Sequence, residues 1–487
     1  MKISDLLYNI KYTGSLSEEL LNTDADFVTD DSRKVRKGCV FVATKGASFD
    51  GNSFIPKALD LGAVLIVSER DNGYDCRIKV MNSRKAYAVL CANLFGRPAE
   101  KLTLIGVTGT NGKTTSTFLI KDVLEKLGKK VGLIGTVQNM IAGQIIPAKF
   151  TTPQAYELNA LFSQMVKAGC EYVVMEASSQ ALAQERLYGI GFRIALFTNL
   201  TQDHLDYHKT MDNYFAAKCK LFENADTVIV NADDEHGRRI PEMYPDKHVI
   251  TFSDKMDTAD LTAKNLRFSR NGVRFVIVGK GSIERIDLPM PGDYSIHNGM
   301  GAYAVATALG FDSDAVAKAL SEITGVKGRC EILVREPFTV INDFAHTGDG
   351  LENLLSSLKP FAEERFIVLF GCAGQRDARK RYEMARAVEK YADKIILTSD
   401  NPRKESIEST MKECVEVFEA SGADYTVVPD RRKAVNMALD MLKSKDMLLL
   451  CGKGHEDYQA NRGRTLYLDE REIVSKYIRE HSISEEP

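Results

Sequence analysis

"VTGTNGKTTSTFLI" (Val107–Ile120) joins an apolar, β-rich run to a segment with helical spacing through closely set glycines, and its reading decides the fold. Upstream, "LTLIGV" (102–107) is uninterrupted by charge, as in a strand buried on both faces. Downstream, Leu119, Val123 and Leu127 share one helical face, and Gly128 is placed to end the helix in a left-handed turn. A strand, a glycine turn and a helix start bring backbone N–H groups and the positive end of a helix dipole to phosphate oxygens, and glycine lets the backbone approach them. In that arrangement Lys113 meets the β- and γ-phosphates and Thr114 reaches a magnesium ion, with Gly109, Thr110, Asn111, Gly112 and Thr115 completing the loop. The common GxxxxGK[ST] spacing would need glycine at Val107; here the glycines fall at Gly106, Gly109 and Gly112.

Length and composition narrow what surrounds this loop. At 487 residues the chain suggests about three domains, given roughly 100 to 200 residues in each. A hydrophobic content of 44% and a charged content of 27% are those of a water-soluble globular protein. The net charge of -3 lacks the basic excess of a nucleic-acid binder, so no nucleic-acid partner is expected. Nine scattered cysteines without a close CxxC pair indicate neither a disulfide framework nor a zinc ribbon, and fit a reducing compartment. "MKISDLLYNI" lacks a signal-like apolar run, and no window approaches the roughly 20 apolar residues of a membrane span. A cytoplasmic location without membrane insertion is the expectation.

From about Lys101 onward, apolar β-rich runs alternate with helical patterns, the signature of parallel sheets with crossover helices. One set is "LTLIGV", "YVVME", "IALFTNL" and "TVIVNA"; a second is "FTVINDF", "RFIVLFG", "KIILTS", "YTVVP" and "MLLLCG". A β-rich excursion separates them at about Thr251 to Pro289. The first 98 residues form another unit, with strands at "CVFVA" and "AVLIVS". The expected fold is therefore α/β in three domains: a small N-terminal α/β domain (1–98), a central phosphate-loop domain on a parallel sheet (99–327) and a C-terminal Rossmann-like domain (328–487).

Glu176, in "VVMEASSQAL", stands at the C-terminal end of a predicted strand, where open parallel sheets bind ligands, and "TNLTQDHLDYH" offers Asn199, His204 and His208 in the same way. Taken singly, such residues are more often caps or surface groups, and Lys218, on the predicted helix "MDNYFAAKCKLF", reads alone as a solvated lysine. Together, Thr114, Glu176 and His204 are expected to converge beside the phosphates, because magnesium favours a few protein ligands plus substrate oxygens.

The segments "TGTNGKTT", "DHLDYH" and "AAKCKLF" resemble the Mur ligase family, which also includes folylpolyglutamate and cyanophycin synthetases. The resemblance implies that ATP activates a carboxylate for amide formation, with Lys113, His204 and Lys218 as catalytic residues. It further implies that Lys218 is carbamylated by carbon dioxide and binds a second magnesium ion as an anion, beside Thr114, Glu176 and His204. Carbamylation needs the neutral amine, so the site must lower the basicity of Lys218.

The resemblance covers essentially the whole chain and is nearest to the branch that adds a diamino acid to UDP-N-acetylmuramoyl-L-Ala-D-Glu. It makes Ser32 and Arg33 uridine-side contacts, and Thr151, Thr152, Ser178, Gln184 and Arg186 muropeptide contacts. Asn298, Arg329, Asp343 and His346 become nucleotide-side contacts. "GQRD", "TSDNPRKE" and "CGKGHEDYQ" then supply the amino-acid site: Arg376, Asp400, Asn401, Arg403, Gly452 and Glu456. Arg403 would pair two-pronged with the far carboxylate of meso-diaminopimelate, whereas the ammonium of L-lysine would be repelled.

Several positions depart from the family's usual residues: Gln180 for His in "SSQAL", Gly348 for Pro in "DFAHTGDGLEN", Gln375 for Asp in "GCAGQRD" and Asn52 in "DGN". An L-lysine-adding enzyme, or a paralogue with another acceptor or amino acid, therefore stays open. A folylpolyglutamate-type ligase is disfavoured by the uridine-like first domain and the DNPR segment, and a non-ligase ATP switch by the DNPR and GKGHE segments, for which it has no need. A monomer is expected.

Overall fold

The strand Thr103–Thr108 lies between Tyr172–Glu176 and Phe192–Phe197 and pairs in parallel with both, Ile105 standing opposite Val174 on one side and Ile194 on the other. Leu104 to Thr108 are all buried, as their unbroken apolar run leads one to expect. The structure is a computed structural model describing residues 1–46, 49–71, 73–279, 281–375, 378–481 and 483. It divides into two compact units, Met1–Thr251 and Phe252–Pro487.

In the first unit the parallel sheet continues through Val131–Ile134 and Ala225–Asn231. A short antiparallel extension follows Val131–Ile134 at Asn139–Ile141 and Gln144–Ile146. The helix Lys113–Lys126 packs on Val131–Ile134 and Tyr172–Glu176, while the helix Met211–Glu223 packs on Thr103–Thr108 and Ala225–Asn231. The second helix buries Phe215, Leu221 and Phe222, each worth about 1.5–3 kcal/mol of apolar burial. It closes on the central strand because residue 106 is glycine: a Cβ there would fall 2.9 Å from Leu221 Cδ1 and 3.0 Å from the Phe192 ring. That approach carries Lys218 to the loop after the strand.

The N-terminal residues of this unit form a second sheet in the order Tyr12–Thr13, Arg77–Val80, Leu65–Ser68, Cys39–Val42, Phe27–Thr29, parallel apart from its first strand. Phe27 and Phe95 hold Tyr156 edge-on at 4.9 and 5.1 Å, and the helix Ser83–Leu94 packs on Ala155–Lys167.

The second unit begins with the β-rich excursion, an antiparallel meander of Leu261–Ser269, Gly272–Gly279 and Ser282–Leu288, followed by helices Tyr294–Ala308 and Ser313–Ser321. Its larger sheet runs Glu331–Val334, Thr339–Asp343, Met447–Cys451, Phe366–Cys372, Lys394–Ser399, Tyr425–Val428, antiparallel only at the first pair. Separate apolar clusters line its faces, one around Leu355, Phe370 and Phe418, the other around Leu369, Val435 and Ile473. Arg431 is fully buried; it donates to Glu470 Oε1 at 2.8 Å, to the Ser399 carbonyl at 3.3 Å and to the Cys451 carbonyl at 2.8 Å. One guanidinium thus ties two strand ends together, its burial offset by the carboxylate and the carbonyls it meets. Among the described residues, no helix is long and apolar enough to cross a membrane.

Candidate active site

In the first unit the phosphate loop has the backbone the sequence leads one to expect. Gly109 has φ +151°, and a Cβ there would lie 1.9 Å from Thr198 Oγ1; Gly112, at φ +83°, caps the helix Lys113–Lys126. Only glycine fits such a position as Gly109. The loop is pinned from the next strand: Thr110 N donates to Asn199 O at 2.9 Å, Asn111 N to Asn199 Oδ1 at 2.9 Å, and Thr198 Oγ1 to Asn111 O at 2.6 Å. Thr201 N donates to Thr110 Oγ1 at 3.0 Å. Asn199 is an expected site residue; Thr198 and Thr201 are not, because nothing local marks them. Thr115 is buried in the first helical turn.

Glu176 is 1% exposed, yet its carboxylate is well satisfied. Thr114 donates to Oε1 at 2.9 Å, Thr136 N to Oε1 at 2.8 Å and Thr136 Oγ1 to Oε2 at 3.1 Å. The structure thereby joins two of the four expected cation ligands directly and adds Thr136 as a further donor to Glu176.

Lys113 folds onto its own loop, donating to the Gly109 carbonyl at 2.9 Å and the Thr110 carbonyl at 2.7 Å. Lys218, 1% exposed, donates to the same Gly109 carbonyl at 2.6 Å with its ammonium 4.3 Å from the Tyr214 ring centroid. Burial first, and the neighbouring Lys113 second, hold Lys218 well below the usual lysine range. The solvated-lysine reading is overturned: a buried amine sits on the phosphate loop.

The two histidines differ from the strand-end placement expected of them. His204 follows Phe197, the last strand residue, by seven positions, has φ +52°, and stands 3.4 Å from Asp203 Oδ2 with its ring 6.1 Å from Tyr214. His208 is buried, its Nε2 2.9 Å from Ser179 Oγ, and burial, His204 and Lys218 all depress its basicity. The "HLDYH" segment forms a short helix, Leu205–His208, whose turn carries His208 inward.

The expected muropeptide residues form one hydrogen-bonded chain. Thr152 Oγ1 donates to the Glu176 carbonyl at 2.7 Å and accepts from Ser178 N at 3.0 Å; Thr136 Oγ1 reaches Thr151 Oγ1 at 3.0 Å. Arg186 donates to the Thr152 carbonyl at 2.8 Å and to Gln184 Oε1 at 2.7 Å. Ser178 caps the helix Ser179–Ala183, on which Gln180 is half-buried. Ser32 is half-buried and Arg33 exposed, the latter paired with Asp31 at 2.8 Å.

In the second unit, Asn298 is buried on its helix. The Asp343 carboxylate accepts from Cys330 N and Ala345 N, both at 2.6 Å; burial raises its pKa, and Arg329 opposes that most. Arg329 lies 4.7 Å from the Phe344 ring centroid, and the rings of His346 and His455 lie 4.5 and 4.8 Å from it. Burial, then Arg329 and Arg471, push His455 down to about 3.

The unfolded chain therefore binds a proton at His455 below about pH 6.5 that the folded chain refuses until about pH 3, so stability is lost as pH falls through that window. From pH 6.5 to 5 this one residue should cost about 1.5 kcal/mol. Thermal melts of the native chain and of His455→Gln should therefore diverge below pH 6.5, the variant falling less steeply.

Asp400, Asn401 and Glu456, the residues expected to receive the amino acid, cluster, and Gly452 leaves room for Asp400, whose Oδ2 would be 3.0 Å from a Cβ there. Asn401 Nδ2 donates to Glu456 Oε2 at 3.1 Å. Arg403 has φ +57° and is half-buried, its N–H donating to Ala460 O at 2.9 Å. Arg376 lies outside the described residues. Sequence reasoning missed Lys453 and Tyr458: Lys453 is fully buried against Glu456, and Tyr458 donates to Glu456 Oε1 at 3.3 Å.

Three departures have a definite local setting. A Cβ at Gly348 would lie 2.7 Å from Glu383 Cβ, so the helix Ala378–Tyr391 packs where a proline ring would stand. Gln375 has φ +56°, and its N–H is held by the Glu405 carboxylate. Asn52 donates to Asp50 Oδ1 at 2.7 Å inside a single turn. Nothing in the structure explains Gln180.

Three family models match the chain in order: the Mur ligase family catalytic domain at 24–92, the Mur ligase middle domain at 107–306 and the Mur ligase glutamate ligase domain at 328–454. The chain is 41% identical to a UDP-N-acetylmuramoyl-L-alanyl-D-glutamate--2,6-diaminopimelate ligase of Clostridium tetani, over 99% of this chain and 100% of that protein. It is 38% identical to a ligase of the same name from Listeria monocytogenes, over 97% of each. A solved structure of a protein with that name superposes with a TM-score of 0.73 at 28% identity, covering 99% of this chain and 100% of the other. The fold is also that of the MurF ligase from Thermotoga maritima in complex with ADP, with a TM-score of 0.60 at 18% identity over 94% and 97% of the two chains. With a glycine-bordered phosphate loop, a buried lysine on that loop and end-to-end relatives in agreement, the chain belongs to the Mur ligase family.

Proposed function

We infer that this chain is an ADP-forming acid–amino-acid ligase that adds meso-diaminopimelate to UDP-N-acetylmuramoyl-L-Ala-D-Glu, a step of peptidoglycan precursor synthesis. The observation that carries this reading is full-length identity of 41% to a relative named for that reaction, together with the charged cluster that Asp400 and Asn401 of the DNPR segment form with Lys453 and Glu456. The muropeptide carboxylate attacks the γ-phosphorus of ATP, ADP leaves, and an acyl phosphate forms. The amine of the amino acid then adds to the acyl carbon, and the tetrahedral intermediate expels inorganic phosphate. Lys113, already beside the loop carbonyls, offsets charge on the transferred phosphoryl group.

Thr114 and Glu176 present hard oxygen donors next to the loop and suit magnesium, which when bound supplies charge neutralisation at the phosphates. Lys218, with its lowered basicity, suits addition of its neutral amine to carbon dioxide, giving a carbamate whose oxygens, with the His204 imidazole, would hold a second ion. Asn298, Arg329, Asp343 and His346 serve the nucleotide. Thr151, Thr152, Ser178, Gln184 and Arg186 serve the muropeptide, with Ser32 and Arg33 at its uridine end. Arg376, Asp400, Asn401, Arg403, Gly452 and Glu456 serve the amino acid. The corresponding functional division is 1–98, 99–327 and 328–487, in a cytoplasmic monomer.

The test is phosphate release by the purified chain. It should require ATP, UDP-N-acetylmuramoyl dipeptide and amino acid together; equal release with the acceptor or the amino acid omitted would overturn the ligase reading.

A further inference from the structure

We propose that Lys453 sets the charge that the amino-acid site accepts, favouring a substrate with two ammonium and two carboxylate groups over a diamine with one carboxylate. The inference rests on the reading above, in which Asn401, Arg403 and Glu456 receive the incoming amino acid.

Lys453 is fully buried, and its ammonium meets nearly every polar group of the cluster. It is ion-paired with Glu456 Oε2, lies 3.3 Å from Asn401 Oδ1 and 4.0 Å from Asp400 Oδ1, and sits 5.0 Å from the Tyr458 ring centroid. Tyr458 holds the other oxygen of Glu456, and Asn401 Oδ1 also accepts from Ala460 N at 2.8 Å. The charges of Asp400, Glu456 and Arg403 all reach the Tyr458 hydroxyl. The carboxylates of Asp400 and Glu456 thus face the cations Lys453 and Arg403; buried Arg431 acts on Asp400 as well, and Arg376, read into the same site from the sequence, carries a further positive charge.

A buried ammonium costs desolvation that an apolar residue would not, so its retention here calls for a role beyond packing. A zwitterion with two charges of each sign adds no net charge to such a site. A substrate with one excess positive charge must be desolvated with that excess unmatched. Without Lys453 the site would be more negative by one charge, and the cationic diamine would gain relative to the neutral substrate. Lys453 is accordingly a positioning residue: it orients Glu456 and Asn401 and fixes the charge balance, without being required to touch the reacting atoms.

The experiment compares kcat/KM for meso-diaminopimelate and L-lysine in the wild-type chain, Lys453→Gln, Lys453→Arg and Glu456→Gln, with the amide product quantified by mass spectrometry so that slow lysine turnover is counted. In Lys453→Gln the diaminopimelate-to-lysine ratio should fall about tenfold, through a raised KM for diaminopimelate more than through kcat. Lys453→Arg should keep the wild-type ratio within about threefold. Glu456→Gln, which removes charge of the opposite sign, should move the ratio the other way even as both activities fall. Equal losses for both amino acids in Lys453→Gln and Glu456→Gln would overturn the inference and leave Lys453 a structural residue. If Lys453→Gln does not fold, the direction of change in Glu456→Gln decides. A wild-type chain that ligates neither amino acid would instead overturn the parent reading.

Discussion

Lys218→Ala should lower kcat for amide formation about 10³-fold, a loss of roughly 4 kcal/mol of transition-state stabilisation, and millimolar formate or acetate should restore part of it. The expectation follows from where the side chain lies. A lysine that is 1% exposed, bonded to the Gly109 carbonyl and next to a second ammonium, at Lys113, is poorly placed to remain a cation. As a carbamate it would become an anion at the place where phosphate charge must be balanced. Removing it should not unfold the chain, because the alanine variant also loses the desolvation penalty of the buried amine. Lys218→Met, which keeps the volume, should be as inactive as Lys218→Ala while melting at or above the wild-type temperature. Scrubbing carbon dioxide and bicarbonate from the buffer should lower wild-type activity and leave both variants unchanged. Activity within tenfold of wild type in Lys218→Ala, or no response to carboxylates, would remove the carbamate from the account.

Arg403→Asn should reduce kcat/KM for meso-diaminopimelate by about 10²- to 10³-fold, chiefly through KM, while changing the value for L-lysine little. Asparagine is the apt neutral replacement because residue 403 has φ +57°, a conformation that asparagine tolerates better than alanine does. On the proposed two-pronged pair between Arg403 and the substrate's far carboxylate, removing the guanidinium would leave that carboxylate unmatched, which sets the size of the expected effect. Arg403→Lys should recover only part of the loss, since an ammonium offers no planar fork. Equal losses for diaminopimelate and lysine would mean that Arg403 holds its loop, where its backbone already bonds Ala460, and does not read the substrate.

The elements read correctly from sequence are those whose physics is local. Thr103–Thr108 and Met447–Cys451 are unbroken apolar runs, and the phosphate loop announces itself through glycines that only their backbone angles explain. Lys218 is legible only through the resemblance of its segment to a family; its composition alone argues for a solvated helix face, and its burial beside Tyr214 reverses that. What escaped is long-range. Thr198 reaches Asn111 across 87 positions and Thr136 reaches Glu176 across 40, and a threonine carries no sign of such a partner. Lys453 stands in the open in "CGKGHEDYQ", but that its ammonium is buried among Asp400, Asn401 and Glu456 depends on three chain segments folding together. The segment "TNLTQDHLDYH" reads as a strand end bearing His208, whereas one short helical turn carries it into the interior. The hairpin Tyr458–Asn461 and Arg464–Tyr467 is not legible in the sequence, because "YQANRGRTLY" lacks clean alternation.

The most direct measurement is the mass of the product formed when the purified chain is incubated with ATP, magnesium, UDP-N-acetylmuramoyl-L-Ala-D-Glu and an equimolar mixture of meso-diaminopimelate and L-lysine. The account predicts one dominant nucleotide product, the diaminopimelate amide, formed with one ADP and one phosphate per bond. A dominant lysine amide, or ADP released with no amide at all, would contradict it.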